Sequence, residues 1–243
     1  MVGGVWDMTV EPTERLRQIA ALVPRGAVVA DIGTDHALLP VYLVREGLCP
    51  KVIATEVKEG PLRLAGANLA CFSLRDRIEL RRGDGLATLA PGEADAVVLA
   101  GMGGATMRAI LAAAPAVLAA GPLLLLQPMN GIRGLRTWLY EQAWHIVAEK
   151  LVRERQRFYV ILAAQPGRGE EPDELALAIG PRLLENRDPL LPAYLALMTG
   201  RLEALRLRLA AARSPSAAQK AEEAGVLLSK IQEVAQCLSG EKI

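Results

Sequence analysis

The sequence predicts an α/β chain: a doubly wound, mostly parallel sheet ended by an antiparallel hairpin and followed by a helical extension. Three observations carry this. From Ala27 to about Ala164, short apolar runs alternate with helical stretches, the pattern of a parallel sheet covered on both faces. Two strand-like runs, 145–152 and 158–164, are joined only by charged residues, too few for a parallel crossover. Beyond Pro172, apolar residues recur at heptad spacing.

The elements follow in order. A lead-in helix is expected over 14–23, where Leu16, Ile19, Ala20 and Val23 share one face, and Pro24-Arg25-Gly26 ends it. Strands are expected at 28–32, 52–56, 78–82, 96–100 and 123–127. Helices are expected at 38–46, 61–72, 104–113 and 135–143, with the hairpin runs after them. Pro166-Gly167-Arg168-Gly169 begins a break in the pattern. One seam then runs through Leu195, Met198, Leu202, Leu205 and Leu209, and another through Ala224, Leu228, Ile231, Ala235 and Leu238. Ser214-Pro215-Ser216 between them lets the two fold back as an antiparallel helical hairpin. This hairpin reads either as a packing element or dimer contact, or as an arm gripping a large substrate. Arg201, Arg206, Arg208 and Arg213 flank the first seam and favour the arm.

Composition sets limits. With 243 residues, 51% of them hydrophobic, the chain can bury a substantial core. A net charge of +1 gives no global basic field, although Arg75 to Arg82 and Lys150 to Arg157 are locally basic. Cys49, Cys71 and Cys237 are isolated, with no metal or disulfide spacing, which fits a reducing cytosol and predicts no bound metal. Met1 to Val10 lacks the order of a signal peptide, and the apolar run Leu123 to Leu126 is far too short to span a bilayer. A cytoplasmic, membrane-free protein is expected, with its oligomeric state open.

The chemistry is concentrated at strand ends. In Asp31-Ile32-Gly33-Thr34-Asp35-His36-Ala37, Gly33 permits a tight strand-to-helix turn that a ligand can approach. The glycines that a dinucleotide turn would place further on are Asp35 and Ala37 here. A carboxylate at that point repels pyrophosphate but tolerates the cationic amino-acid end of S-adenosylmethionine. Glu56 closes the second strand, where an acid can accept from both ribose hydroxyls. Asp84, in Gly83-Asp84-Gly85, follows the third strand and can accept from an adenine amino group. Three acids in register point to S-adenosylmethionine as cofactor. The class I methyltransferase fold, Rossmann-like and ended by an antiparallel hairpin, is the fold class that results. Residues 1–167 are then the cofactor-binding catalytic domain, with 1–26 its lead-in, and 168–243 the helical extension.

The fourth strand ends Ala100-Gly101-Met102-Gly103-Gly104. The Asn/Asp-Pro-Pro-aromatic tetrad that holds an exocyclic amino group is absent. No cysteine stands at this strand end for covalent attack on a pyrimidine. The glycines leave space beside the methyl donor for a planar base with a ring-nitrogen lone pair.

Together with Leu38-Leu39-Pro40, Gly83-Asp84-Gly85-Leu86, Leu126-Gln127-Pro128 and Phe158-Tyr159, these segments resemble the bacterial tRNA (adenine-22-N1)-methyltransferase family. The resemblance runs from about Arg15 to the end, including Gly180-Pro181 and the coiled-coil-like tail. It implies methylation of N1 of adenine in the D-arm region of tRNA. Members often carry Asn directly after Gln-Pro, whereas this chain has Met129 and then Asn130.

The expected cofactor contacts are Asp31, Gly33, Glu56, Asp84, Gly85, Ala100 and Gly101. Met102, Gly103 and Gln127, with Arg201, Arg206 and Arg208 on the extension, are expected to face the substrate. Asp35 is the expected catalytic carboxylate, stabilising the positive charge that methylation brings to the ring, with His36 orienting it or touching substrate. His36 also reads as a packing histidine. Competing readings are a methyltransferase for another RNA or a small molecule, and a non-catalytic RNA-binding module that keeps the cofactor as a structural ligand.

Overall fold

The computed structural model describes residues 12–212 and 214–240. Helix α1, Glu14–Ala20, starts at Thr13, whose hydroxyl accepts from the Leu16 amide, and buries Ile19 and Ala20. It stops short of the expected Val23. There, Leu22 and Val23 donate to the carbonyls three residues back, tightening the last turn before Pro24. Then come β1 (Val29–Ile32), α2 (Leu38–Arg45), β2 (Val52–Glu56), α3 (Glu59–Cys71) and β3 (Ile78–Arg82). A 3₁₀ turn, Gly85–Thr88, leads to β4 (Ala96–Met102), α4 (Gly104–Ala112), α5 (Pro115–Ala119), β5 (Leu123–Pro128) and α6 (Ile132–Glu141). The hairpin is β6 (Trp144–Glu154) and β7 (Arg157–Pro166).

The seven strands lie in the order β3-β2-β1-β4-β5-β7-β6, with β1 to β5 parallel and β7 antiparallel to β5. Strand order reverses at β1, so the carboxyl ends of β1 and β4 flank a crevice of the kind where ligands bind in open α/β sheets. β1 and β2 are buried along their whole length, as strands covered on both faces must be. Val29, Val52, Ala54, Val98, Leu125 and Ile161 join Leu39, Leu43 and Leu69 from the helices in one core.

β4 runs two residues past its expected end. Its pairing with β5 shifts register between Ala100 and Met102, a bulge at the rim of the crevice.

The described chain divides into two compact units. The first holds the residues through Ala148 together with Val152–Gly169. The second holds Glu149–Leu151 and the residues from Glu170 onward, with α7 (Glu174–Ile179), α8 (Pro181–Glu185), α9 (Leu191–Ala211) and α10 (Pro215–Ser239). Within it, the Asp188 carboxylate accepts from the Leu151 amide at 3.1 Å and Glu149 accepts from the Arg182 amide at 2.9 Å. α9 and α10 pack against each other as an antiparallel pair, with the seam residues Leu195, Ala224, Leu228 and Ile231 buried. Ser214 caps α10, accepting from the Ala217 amide. Arg201, Arg206 and Arg208 are exposed along α9. Arg213 and the Met1 to Val10 stretch lie outside the described residues.

Candidate active site

β1 delivers Asp31 to the crevice, buried at its floor. After it the chain turns at Gly33, whose φ of +73° suits glycine. A Cβ built there would lie 2.3 Å from the Met102 methyl, so Gly33 lets the β4 rim close over the turn. The Gly33 and Thr34 amides both donate to the Thr55 carbonyl at 2.9 Å, tying the turn to the end of β2.

Asp35 and Ala37 also adopt left-handed conformations, φ +54° and +57°. Such conformations cost roughly 1–2 kcal/mol per non-glycine residue. The surroundings hold the turn: the Glu56 carboxylate accepts from the Asp35 amide at 3.3 Å and from the Lys58 amide at 2.9 Å. The Asn68 amide donates to the His36 carbonyl at 2.8 Å. The Asp35 carboxylate is thereby left exposed, 3.5 Å from His36 Nε2.

Glu56 is buried close to Asp31, and among the described residues neither acid has a cationic partner. Burial pushes the Asp31 carboxyl up to about 6; Thr34 pulls against this and the Glu56 charge adds to it. Two buried acids without a counter-ion form a site for a cation. Asp84 precedes the 3₁₀ turn with its side chain exposed and uncommitted to the turn's amides. Gly85 follows at φ +54°. These are donor-facing acids of the kind that a cationic adenosyl ligand requires, so the residues present fit S-adenosylmethionine.

At the other wall, Ala100 is half-buried and Gly101 exposed at φ +77°, with only Arg15 Nη1, 3.8 Å away, near the position of a Cβ. The Met102 carbonyl accepts from the Met129 amide at 2.8 Å, and the Gly104 amide donates to the Asn130 carbonyl at 3.0 Å, so the loops after β4 and β5 are zipped together. A Cβ on Gly103 would meet Asn130 Oδ1 at 3.1 Å.

Gln127, expected to face the substrate, is fully buried. Its Oε1 accepts from Arg15 Nη1 at 2.6 Å and from the Gly101 amide at 3.2 Å; its Nε2 donates to the Pro128 carbonyl at 3.0 Å. Its amide is engaged within the protein and fixes the bulge in β4. Arg15 belongs to the site without any mark in the sequence. On a short amphipathic helix it reads as solvated. Nothing local announces a partner more than a hundred residues away, nor the Tyr159 ring 5.1 Å beneath its guanidinium.

A methyltransferase-domain family model matches residues 13–162. The tRNA (adenine(22)-N(1))-methyltransferase of Bacillus subtilis is 38% identical over 169 residues, spanning 69% of this chain and 71% of that protein. The chain belongs to the tRNA (adenine-22-N1)-methyltransferase family. Solved structures agree with that membership. The crystal structure of the B. subtilis M1A22 tRNA methyltransferase TrmK superposes with a TM-score of 0.84 at 30% identity, covering 93% of this chain and 99% of that one. A candidate tRNA (m1A22) methyltransferase of Streptococcus pneumoniae, solved in complex with S-adenosyl-L-methionine, does so with a TM-score of 0.82 at 30% identity, covering 93% and 100%. The family model reaches residue 162, while the likeness to the solved structures covers 93% of this chain. Among the described residues no cluster of three or more His, Cys, Asp or Glu is arranged to hold a metal, and no helix is long and apolar enough to cross a membrane.

Proposed function

We propose that this chain methylates N1 of adenine 22 in tRNA, in the cytoplasm, with S-adenosylmethionine as donor. The observation that carries the reading is the buried, uncompensated pair Asp31 and Glu56 beside the exposed Gly101 of β4, in a member of this family.

Glu56 would hold the ribose hydroxyls, and Asp84 the adenine amino group. Asp31 and Asp35 set the negative potential for the cationic amino-acid end. When bound, the cofactor supplies an electrophilic methyl group on a sulfonium. The N1 lone pair of a neutral adenine is already nucleophilic, so no side chain has to remove a proton to create it. The chain's task is to position the two reactants in line and exclude water. Asp35, exposed at the crevice and beside His36, stabilises the positive charge that arrives on the ring. Met102 and Gly103, on the zipped rim, would flank the base. The exposed Arg201, Arg206 and Arg208 of α9 would meet tRNA phosphates.

Labelled methyl transfer into two tRNA transcripts tests the reading. A transcript with adenine at position 22 is expected to accept label, and one with guanine there is not. Equal labelling of both would overturn the assignment of position.

A further inference from the structure

The β6–β7 hairpin overhangs the catalytic rim. β7 pairs with β5 in a register that sets Leu126 beside Leu162. Continued along the strands, this register brings Pro128, the end of β5, beside Val160, yet β7 begins further out, at Arg157. At about 3.4 Å per residue, the start of β7 stands on the order of 10 Å beyond the carboxyl ends of the parallel strands. Those ends carry Gly101, Met102 and Met129.

The overhanging tip is Arg153-Glu154-Arg155-Gln156-Arg157. All three arginines are exposed, and none has a carboxylate partner among the described residues. The tip's one acid is turned inward: Glu154 Oε1 accepts from the Arg15 amide at 2.6 Å, anchoring the hairpin to the start of α1. The Arg153 guanidinium rests 5.6 Å from the Phe158 ring centroid, which stiffens the base of the tip. The outward face is therefore uniformly cationic, on a braced element beside the site. Guanidinium groups match phosphate oxygens in planar, bidentate fashion. A base brought into the crevice must leave its stack, exposing the phosphates on either side of it at the rim.

We propose that Arg153, Arg155 and Arg157 form a finger that grips the RNA backbone flanking the target nucleotide. This rests on the proposed tRNA methylation, and its test separates the two. Full-length chain carrying Arg153→Gln, Arg155→Gln and Arg157→Gln is compared with the unaltered chain for tRNA affinity across a salt series, KM for tRNA, and cofactor affinity. The finger predicts that KM rises about tenfold or more and that the log–log salt slope shrinks by roughly two to three units, close to one for each phosphate no longer neutralised. Cofactor affinity stays at the unaltered value, which also reports that the sheet is folded. Arg→Lys at the three positions should restore most of the slope. If the triple variant precipitates, Arg155→Gln alone should still lower the slope by about one unit. An unchanged slope overturns the finger, even where KM rises. Absence of methyl transfer by the unaltered chain overturns the proposed function instead; a finger without effect on tRNA binding would then fall on its own measurement.

Discussion

Arg15 Nη1 lies 2.6 Å from Gln127 Oε1, joining the first helix to the buried end of β5, and the same oxygen accepts the Gly101 amide of β4. One side-chain amide thus fixes the relative positions of three elements at the rim of the crevice. Charge-assisted hydrogen bonds of this kind contribute about 1.5–3 kcal/mol. A double-mutant cycle with Arg15→Met and Gln127→Met, read by chemical denaturation, should give a coupling energy of about 1 kcal/mol or more. Additive destabilisation would show that the pair carries no such energy.

The two acids proposed to hold the cofactor, Asp84 and Glu56, should behave differently. The Asp84 side chain is exposed and makes no bond to the turn it precedes, so Asp84→Ala, which keeps the backbone bond from the Ala87 amide, should weaken S-adenosylmethionine binding while leaving stability unchanged. Glu56 accepts the Asp35 amide of the strained turn and the Lys58 amide ahead of α3, so Glu56→Ala should reduce both affinity and stability. Removing a charge-assisted hydrogen bond of about 1.5–3 kcal/mol corresponds to roughly a 10- to 150-fold weaker Kd. Calorimetry finding unchanged affinity in both variants would remove the proposed cofactor site.

Asp31 gives the site a pH signature. Its folded pKa is raised from 3.8 to about 6, so between these values the folded protein binds more protons than the unfolded chain. Stability from this group therefore falls as pH rises from about 4 to 6, by an amount on the order of 3 kcal/mol, and is flat above. Asp31→Asn should remove that slope: unliganded, the variant gains on the unaltered chain as pH climbs through the window. Cofactor binding runs the other way, because a cation favours the ionised acid. Affinity should strengthen with pH up to about 6 and then level off. An affinity that stays constant from about the unfolded to well above the folded pKa would contradict this.

Asp35 stands in a left-handed conformation that asparagine also tolerates, so Asp35→Asn tests the charge without changing the turn. Turnover at saturating cofactor should fall on the order of a hundredfold, by analogy with the removal of other electrostatic groups at reacting centres, with a much smaller change in cofactor Kd. Near-normal turnover would make Asp35 a turn residue only.

The parallel strands were legible in the sequence because burial on both faces demands continuous apolar runs such as Val28-Val29-Ala30, and turn residues such as Gly33 and Gly83-Asp84-Gly85 punctuate them. The acids at the strand ends were legible for the same reason: a carboxylate closing an apolar run is conspicuous. Helices α5, α7 and α8 were not, since five or six residues hold too little periodicity to read. The roles of Arg15 and Gln127 were hidden too, because they arise where distant segments meet and not from a local pattern. The exposed Asp35 carboxylate and the overhang of the β6–β7 tip depend likewise on register and backbone angles that composition does not carry.

The chemical identity of the product tests the proposed N1 methylation most directly. tRNA lacking the modification, treated with this enzyme and S-adenosylmethionine, should be digested to nucleosides and separated by mass spectrometry without exposure to alkali, which rearranges N1-methyladenosine. N1-methyladenosine is the expected product, with neither N6-methyladenosine nor 5-methylcytidine formed, as the exposed Gly101 end of β4 and the missing amino-holding tetrad require. A predominantly N6-methylated product would contradict it.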